Sequence, residues 1–152
     1  DLDRMQDFYT SVMGFRVTSR SGPDAPVPGG AAVFMRCDRA HHEIVFFQAP
    51  QEAPSLYPDT ENSMEERKAG FQHMAFEVPN RTEWLKALKH IKSCGVEIKY
   101  GPVVHGPEGD GFEAGSGNRA FYFTDPDGNY IEVYCDITVF EDEEAGWGDV
   151  LQ

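Results

Sequence analysis

Basic residues are scarce in this sequence: 13 Lys and Arg stand against 26 Asp and Glu, a formal net charge of −13. Nucleic-acid affinity comes largely from neutralising phosphate with Lys and Arg, so this balance argues against a nucleic-acid partner. Long apolar runs are also missing, and none approaches the roughly 20 residues needed to cross a bilayer as a helix, so no membrane partner is expected. The opening Asp1-Leu-Asp-Arg4 lacks the basic and then apolar character of a secretory leader. Cysteines number three, Cys37, Cys94 and Cys135, and none forms a C-x-x-C pair. That pattern excludes a thiolate zinc site and points to buried thiols in a reducing, cytoplasmic compartment. The Gly-rich stretch 106–117 lacks G-x-G-x-x-G, so no nucleotide loop follows, and it reads as a solvent loop or an entrance lid. Asp125-Pro-Asp-Gly-Asn129 lacks EF-hand spacing and reads as a turn, with Pro126 fixing φ and Gly128 permitting positive φ.

What is present suits one domain: 152 residues, 40% of them hydrophobic. Two helices are expected. Residues 1–13 place Leu2, Met5, Phe8, Tyr9 and Val12 on one face and end at Gly14. Residues 81–94 place Trp84, Leu85, Leu88 and Ile91 on one face, with Asn80 as cap, Glu83 at the capping-box position and Gly95 as the stop. His90 lies among lysines of this helix and reads as a surface group. Strands are expected at 15–19, 31–36, 42–47, 71–78, 96–100, 119–124 and 130–135. Pro/Gly-rich segments at 22–30 and 106–117 separate strands as loops.

These elements form an internal repeat. Each half runs helix, Gly, strand, loop, strand, turn, strand, and residues 32–47 overlay 119–134 without a gap, so that Phe34 meets Phe121, Ile44 meets Ile131 and Val45 meets Glu132. Module one is expected at 1–50, a linker at 51–69, module two at 70–137 and an acidic tail, with Glu141-Asp-Glu-Glu144, at 138–152. Module two opens with a strand before its helix and module one does not, so a strand ahead of Asp1 in a longer chain is expected.

Period-two alternation assigns the faces. Met74, Phe76 and Val78 share one side of their strand, and His73, Ala75 and Glu77 the other. Ile131, Val133 and Cys135 oppose Tyr130, Glu132 and Tyr134, while Phe121 and Phe123 oppose Tyr122. His73, Tyr122 and Glu132 can therefore share a polar face inside a cup. A carboxylate on an apolar strand is costly to bury alone. A metal ion shared by Glu132 and His73 would explain it.

Four segments in order, His41-His-Glu-Ile-Val-Phe-Phe47, Phe71-Gln-His-Met-Ala-Phe76, Gly101-Pro-Val-Val-His-Gly106 and residues 121–134, carry a resemblance to the vicinal oxygen chelate superfamily. Within it the chain looks most like the catalytic domain of type I extradiol, catechol 2,3-dioxygenase-like enzymes. The resemblance implies an α+β fold of paired βαβββ modules forming a curled mixed sheet around a metal-binding cup, with the first strand of module one ahead of Asp1. It implies Fe(II), or Mn(II), held by two His and one Glu, a set that leaves coordination positions open for a chelating diol and O2. His73 and Glu132 match the second His and the Glu, and the first His would lie upstream of Asp1. By the same match His42 is the acid/base residue, with His41 as the competing assignment, because strict alternation from Val45 puts His42 on the wrong face unless a bulge or turn re-aims it. His105 and Tyr122 match groups that bond substrate and intermediate oxygens. The implied partners are a small aromatic diol, O2 and further copies of the chain as a homo-oligomer. A glyoxalase-like lyase or isomerase, or a metal-free ligand-binding module of the resistance type, are the other activities this superfamily offers.

Overall fold

The computed structural model describes residues 1–25, 30–50, 71–106, 109 and 116–139. The linker expected at 51–69, most of the 106–117 stretch and the Glu141-Asp-Glu-Glu144 run lie outside the described residues. The chain divides into two units, Asp1–Lys68 with Asp125–Gly128, and Ala69–Thr124 with Asn129–Gln152.

In the first unit, α1 (Leu2–Ser11) starts where the Asp1 carboxylate accepts the backbone N–H groups of Asp3 and Arg4, two donors a helix start leaves without partners. Its buried face is Leu2, Met5 and Tyr9, and Gly14, at φ 75, turns the chain into the sheet. That sheet is antiparallel in the order β1 (Arg16–Ser21), β2 (Ala32–Arg36), β3 (Ile44–Phe47). Tyr9 packs against the rings of Phe15 and Phe46, so Phe46 and its partner Val33 face the helix. Phe34 and its partner Val45 face the other way. In the turn Asp125–Gly128 the Asp127 N–H bonds the Asp125 carboxylate, Gly128 takes φ 86, and the buried Tyr9 hydroxyl donates to Asp125 Oδ2 at 3.0 Å.

The second unit runs β4 (His73–Glu77), α2 (Arg81–Ser93), β5 (Tyr100–Val104), β6 (Arg119–Thr124), β7 (Tyr130–Cys135). Its sheet order is β4-β7-β6-β5, with β4 parallel to β7 and the other pairs antiparallel. This is one βαβββ module, and the first unit repeats its αβββ part. Asn80 caps α2 by accepting the Glu83 N–H. Trp84 and Ile91 are buried, and Trp84 packs on Phe121 and donates its indole N–H to the Val133 carbonyl at 3.0 Å. No helix among the described residues is long and apolar enough to cross a membrane. The fold class is α+β, as the sequence implies.

Several details differ from the sequence reading. The strand expected at 96–100 begins at Tyr100 and runs to Val104. The Val96 N–H bonds back to the Ile91 carbonyl in the helix C-terminal cap, so residue 96 is engaged by the helix end and not by the sheet. Leu85 is 44% exposed, because α2 covers the sheet with a stripe centred on Trp84 and Ile91. Glu83 pairs with Lys86. Only Cys135 of the three thiols is buried; Cys37 and Cys94 are exposed.

The gapless overlay of the two halves also fails by one residue. Phe34 pairs with Val45, whereas Tyr122 pairs with Glu132 and Phe121 with Val133. With Val45 laid on Glu132, Phe34 therefore matches Tyr122, not Phe121. The connections differ, residues 37–43 in one hairpin and 125–129 in the other, so the two hairpins need not share a register.

Candidate metal and substrate site

Six side chains of the second unit, His73, Tyr100, His105, Asn118, Tyr122 and Glu132, form one connected cluster. On β4 and β7, register places Ala75 opposite Glu132 and His73 opposite Tyr130. His73 and Ala75 thus share the face of Tyr130 and Glu132, and His73 Nε2 lies 2.9 Å from Glu132 Oε2. On the other side of β7, Tyr122 stands directly opposite Glu132. The rings of His73 and Tyr122 meet edge to face with centroids 5.7 Å apart. Beyond β5, His105 Nε2 lies 2.9 Å from the Tyr122 hydroxyl. Tyr100, opposite Tyr122 in the β5–β6 ladder, packs on both rings.

Glu132 is only 6% exposed, so its two oxygens must be accounted for. Oε1 accepts the Asn118 side-chain N–H at 2.9 Å. Oε2 faces His73 Nε2. The other ring nitrogen of His73, Nδ1, contacts Gln72 Oε1. A carboxylate oxygen and an imidazole nitrogen held 2.9 Å apart are joined by a shared proton or can be bridged by a shared cation. Oxygen and imidazole donors of this kind suit a divalent first-row metal such as Fe(II) or Mn(II), so the donor set fits the ion. Among the described residues no third His, Cys, Asp or Glu joins these two. Tyr122 titrates well above the usual tyrosine range, first because it is buried and then because the Glu132 carboxylate is beside it. It is therefore a neutral phenol, a hydrogen-bond donor, throughout the neutral range.

Of the residues singled out in the sequence, His73, Glu132, Tyr122 and His105 come together here. His42 belongs to the first unit, two residues before β3. Its ring packs edge-on against Phe34 with centroids 5.2 Å apart, and its Nδ1 lies 2.9 Å from the Nδ1 of His41. Phe34 shares its face with Val45, the residue that occupies the place of Glu132 in the first unit. The chain leaves strand geometry before Ile44, and this lets His42 turn to a face that strict alternation would deny it. His41 also meets Phe34, at 6.0 Å, so the two remain side by side. His90 is exposed, with Nε2 3.7 Å from Cys94 Sγ. Asn118 is the cluster member that sequence reasoning missed. It falls between the loop read at 106–117 and the strand read at 119–124, although alternation back from β6 puts 118, 120 and 122 on one face.

The family described as the Glyoxalase/Bleomycin resistance protein/Dioxygenase superfamily matches residues 1–133. Over 146 residues the chain is 25% identical to biphenyl-2,3-diol 1,2-dioxygenase 2 of Rhodococcus globerulus, covering 96% of this chain and 63% of that protein. Over 136 residues it is 30% identical to catechol-2,3-dioxygenase of Bacillus subtilis (strain 168), covering 89% of this chain and 38% of that protein. The chain thus spans less than two thirds of the length of these relatives. Among solved structures, the lactoylglutathione lyase of Agrobacterium tumefaciens matches with a TM-score of 0.53 at 24% identity, over 89% of this chain and 85% of that one. The matched span takes in both αβββ repeats and the Glu132 strand, and the chain belongs to the Glyoxalase/Bleomycin resistance protein/Dioxygenase superfamily.

Proposed function

We propose that this chain carries the catalytic site of an extradiol ring-cleaving dioxygenase acting on a catechol-type aromatic diol with Fe(II) and O2. The observation that carries the reading is the pairing of His73 Nε2 with Glu132 Oε2 at 2.9 Å, next to the Tyr122–His105 hydrogen bond. Similarity to two proteins named as dioxygenases of aromatic diols supports the same substrate class.

In this reading His73 and Glu132 hold Fe(II). The iron, when bound, supplies a chelation point for the diol and for O2. Tyr122, kept neutral by burial and by Glu132, donates its phenolic proton to a substrate oxygen. His105 holds the Tyr122 hydroxyl and can take or return a proton through it. His42 accepts a proton from the diol, a general-base task suited to an imidazole. Tyr100 and Tyr122 provide an aromatic wall for the ring of the substrate.

The test is oxygen uptake by the full-length protein, loaded with Fe(II) without air and offered a panel of catechols. Uptake with a yellow ring-opened product is expected, and Glu132→Ala is expected to lose both the iron and the activity. Metal binding without oxygen uptake on any catechol would overturn the dioxygenase reading in favour of a glyoxalase-like lyase or isomerase. Full iron occupancy and ring cleavage in Glu132→Ala would overturn the site.

A further inference from the structure

Asn118 is 3% exposed, and both ends of its side-chain amide are engaged. Its side-chain N–H donates to Glu132 Oε1 at 2.9 Å, and its Oδ1 accepts the Ser116 hydroxyl at 2.6 Å. A carboxylate only accepts, so the amide orientation is fixed by its partner: nitrogen to Glu132, oxygen to Ser116. The main chain of the same residue is tied to the next cluster member, because the His105 N–H donates to the Asn118 carbonyl at 2.9 Å. The neighbouring Gly117, at φ 73, donates its N–H to the His105 carbonyl. One buried residue therefore fixes the backbone at His105 and one oxygen of Glu132.

We infer that Asn118 is a positioning residue: it occupies Glu132 Oε1 and so offers a divalent cation one oxygen, Oε2, on the side of His73. The inference rests on the reading of Glu132 as a metal ligand. A carboxylate free on both oxygens can bind a cation through both and take up one more coordination position. A carboxylate with one oxygen held by a buried amide binds through the other and leaves that position for substrate. Ser116 acts one step further out, keeping the amide from flipping. Partners that orient a metal ligand in this way are commonly worth 10–100-fold in metal affinity.

The experiment titrates the metal-free full-length protein with Mn(II) and reads free ion by electron paramagnetic resonance. The visible spectrum of bound Co(II) at saturation reports the coordination number. Wild type, Asn118→Ala, Ser116→Ala and Glu132→Ala are compared, with circular dichroism to confirm folding. Asn118→Ala is expected to weaken Mn(II) about 10–100-fold and to change the Co(II) spectrum even when the site is full, which a general loosening of the fold would not do. Ser116→Ala is expected to weaken Mn(II) less and to shift the spectrum in the same direction. If Asn118→Ala does not fold, Ser116→Ala decides: wild-type affinity and spectrum in that variant overturn the inference. Wild-type behaviour of a folded Asn118→Ala, with binding lost in Glu132→Ala, overturns the role of Asn118 alone. A wild type that binds no Mn(II), or a Glu132→Ala that binds it normally, overturns the ligand assignment and this inference with it.

Discussion

Tyr122 is held between an imidazole and a carboxylate, and the two do different things to it. Burial and the nearby Glu132 charge keep its proton on, while His105 Nε2, at 2.9 Å, fixes where the hydroxyl lies. Tyr122→Phe removes the hydroxyl and keeps the ring that packs on His73 and Tyr100. Metal retention should be unchanged. Turnover should fall roughly 10²–10³-fold, the usual loss when a single donor to a developing oxygen charge is removed. Measuring kcat together with bound iron separates the cases: unchanged kcat would remove Tyr122 from the chemistry, and lost iron would make it structural. At this scale the sequence shows Glu132 well, because a carboxylate between Ile131 and Val133 stands out on an alternating strand. Asn118 is harder to see, because Gly115-Ser-Gly-Asn118 has the composition of a turn and composition cannot show that Asn118 reaches Glu132, whose ladder partner Tyr122 lies four residues further on.

Among the elements, hairpins and helices are legible and the start of the strand after α2 is not. β6, β7 and both helices fall within two residues of where alternation and capping place them. β5 does not, because the C-terminal cap of α2 engages Val96 before the sheet can. β5 forms a sheet edge, where Pro102 removes a donor without breaking an interior ladder. The one-residue register difference between hairpins is equally invisible, since loop lengths set it. At α1 the key interaction joins residues 116 positions apart: Tyr9 is fully buried and donates to Asp125. Tyr9→Phe should destabilise the protein by about 1–3 kcal/mol, because the buried carboxylate loses this donor. A pH signature accompanies it. Burial, then the Asp125 charge, raise the Tyr9 phenol above the ordinary tyrosine pKa of about 10. Native Tyr9 thus keeps its proton at pH values where the unfolded chain has lost it. Stability is full below pH ~10 and falls as pH rises above that. Urea midpoints at several pH values should show a shallower alkaline decline in Tyr9→Phe, and an equal decline in both proteins would remove Tyr9 from the alkaline transition.

For the whole molecule, the net charge of −13 complicates any metal test. An acidic protein repels itself, and any divalent cation relieves that repulsion by screening and weak surface association. A rise in melting temperature with Fe(II) or Mn(II) is therefore not by itself evidence for a site. Site binding has a different form: it stabilises by mass action, about 2.7 kcal/mol at a hundredfold excess over Kd. For a domain of this size that amounts to roughly 5–10 °C. Surface relief should be the same for Mg(II) and Mn(II), should vanish at high ionic strength, and should survive Glu132→Ala, which changes the charge by one unit in thirteen. The site contribution should appear with Mn(II) and not Mg(II), because an imidazole–carboxylate donor set favours the softer ion. It should persist in 0.5 M NaCl and disappear in Glu132→Ala. Melting curves of both proteins with each ion, at low and high salt, make the separation. An Mn(II) shift that salt abolishes and Glu132→Ala leaves intact would assign the whole effect to the acidic surface and none of it to His73 and Glu132.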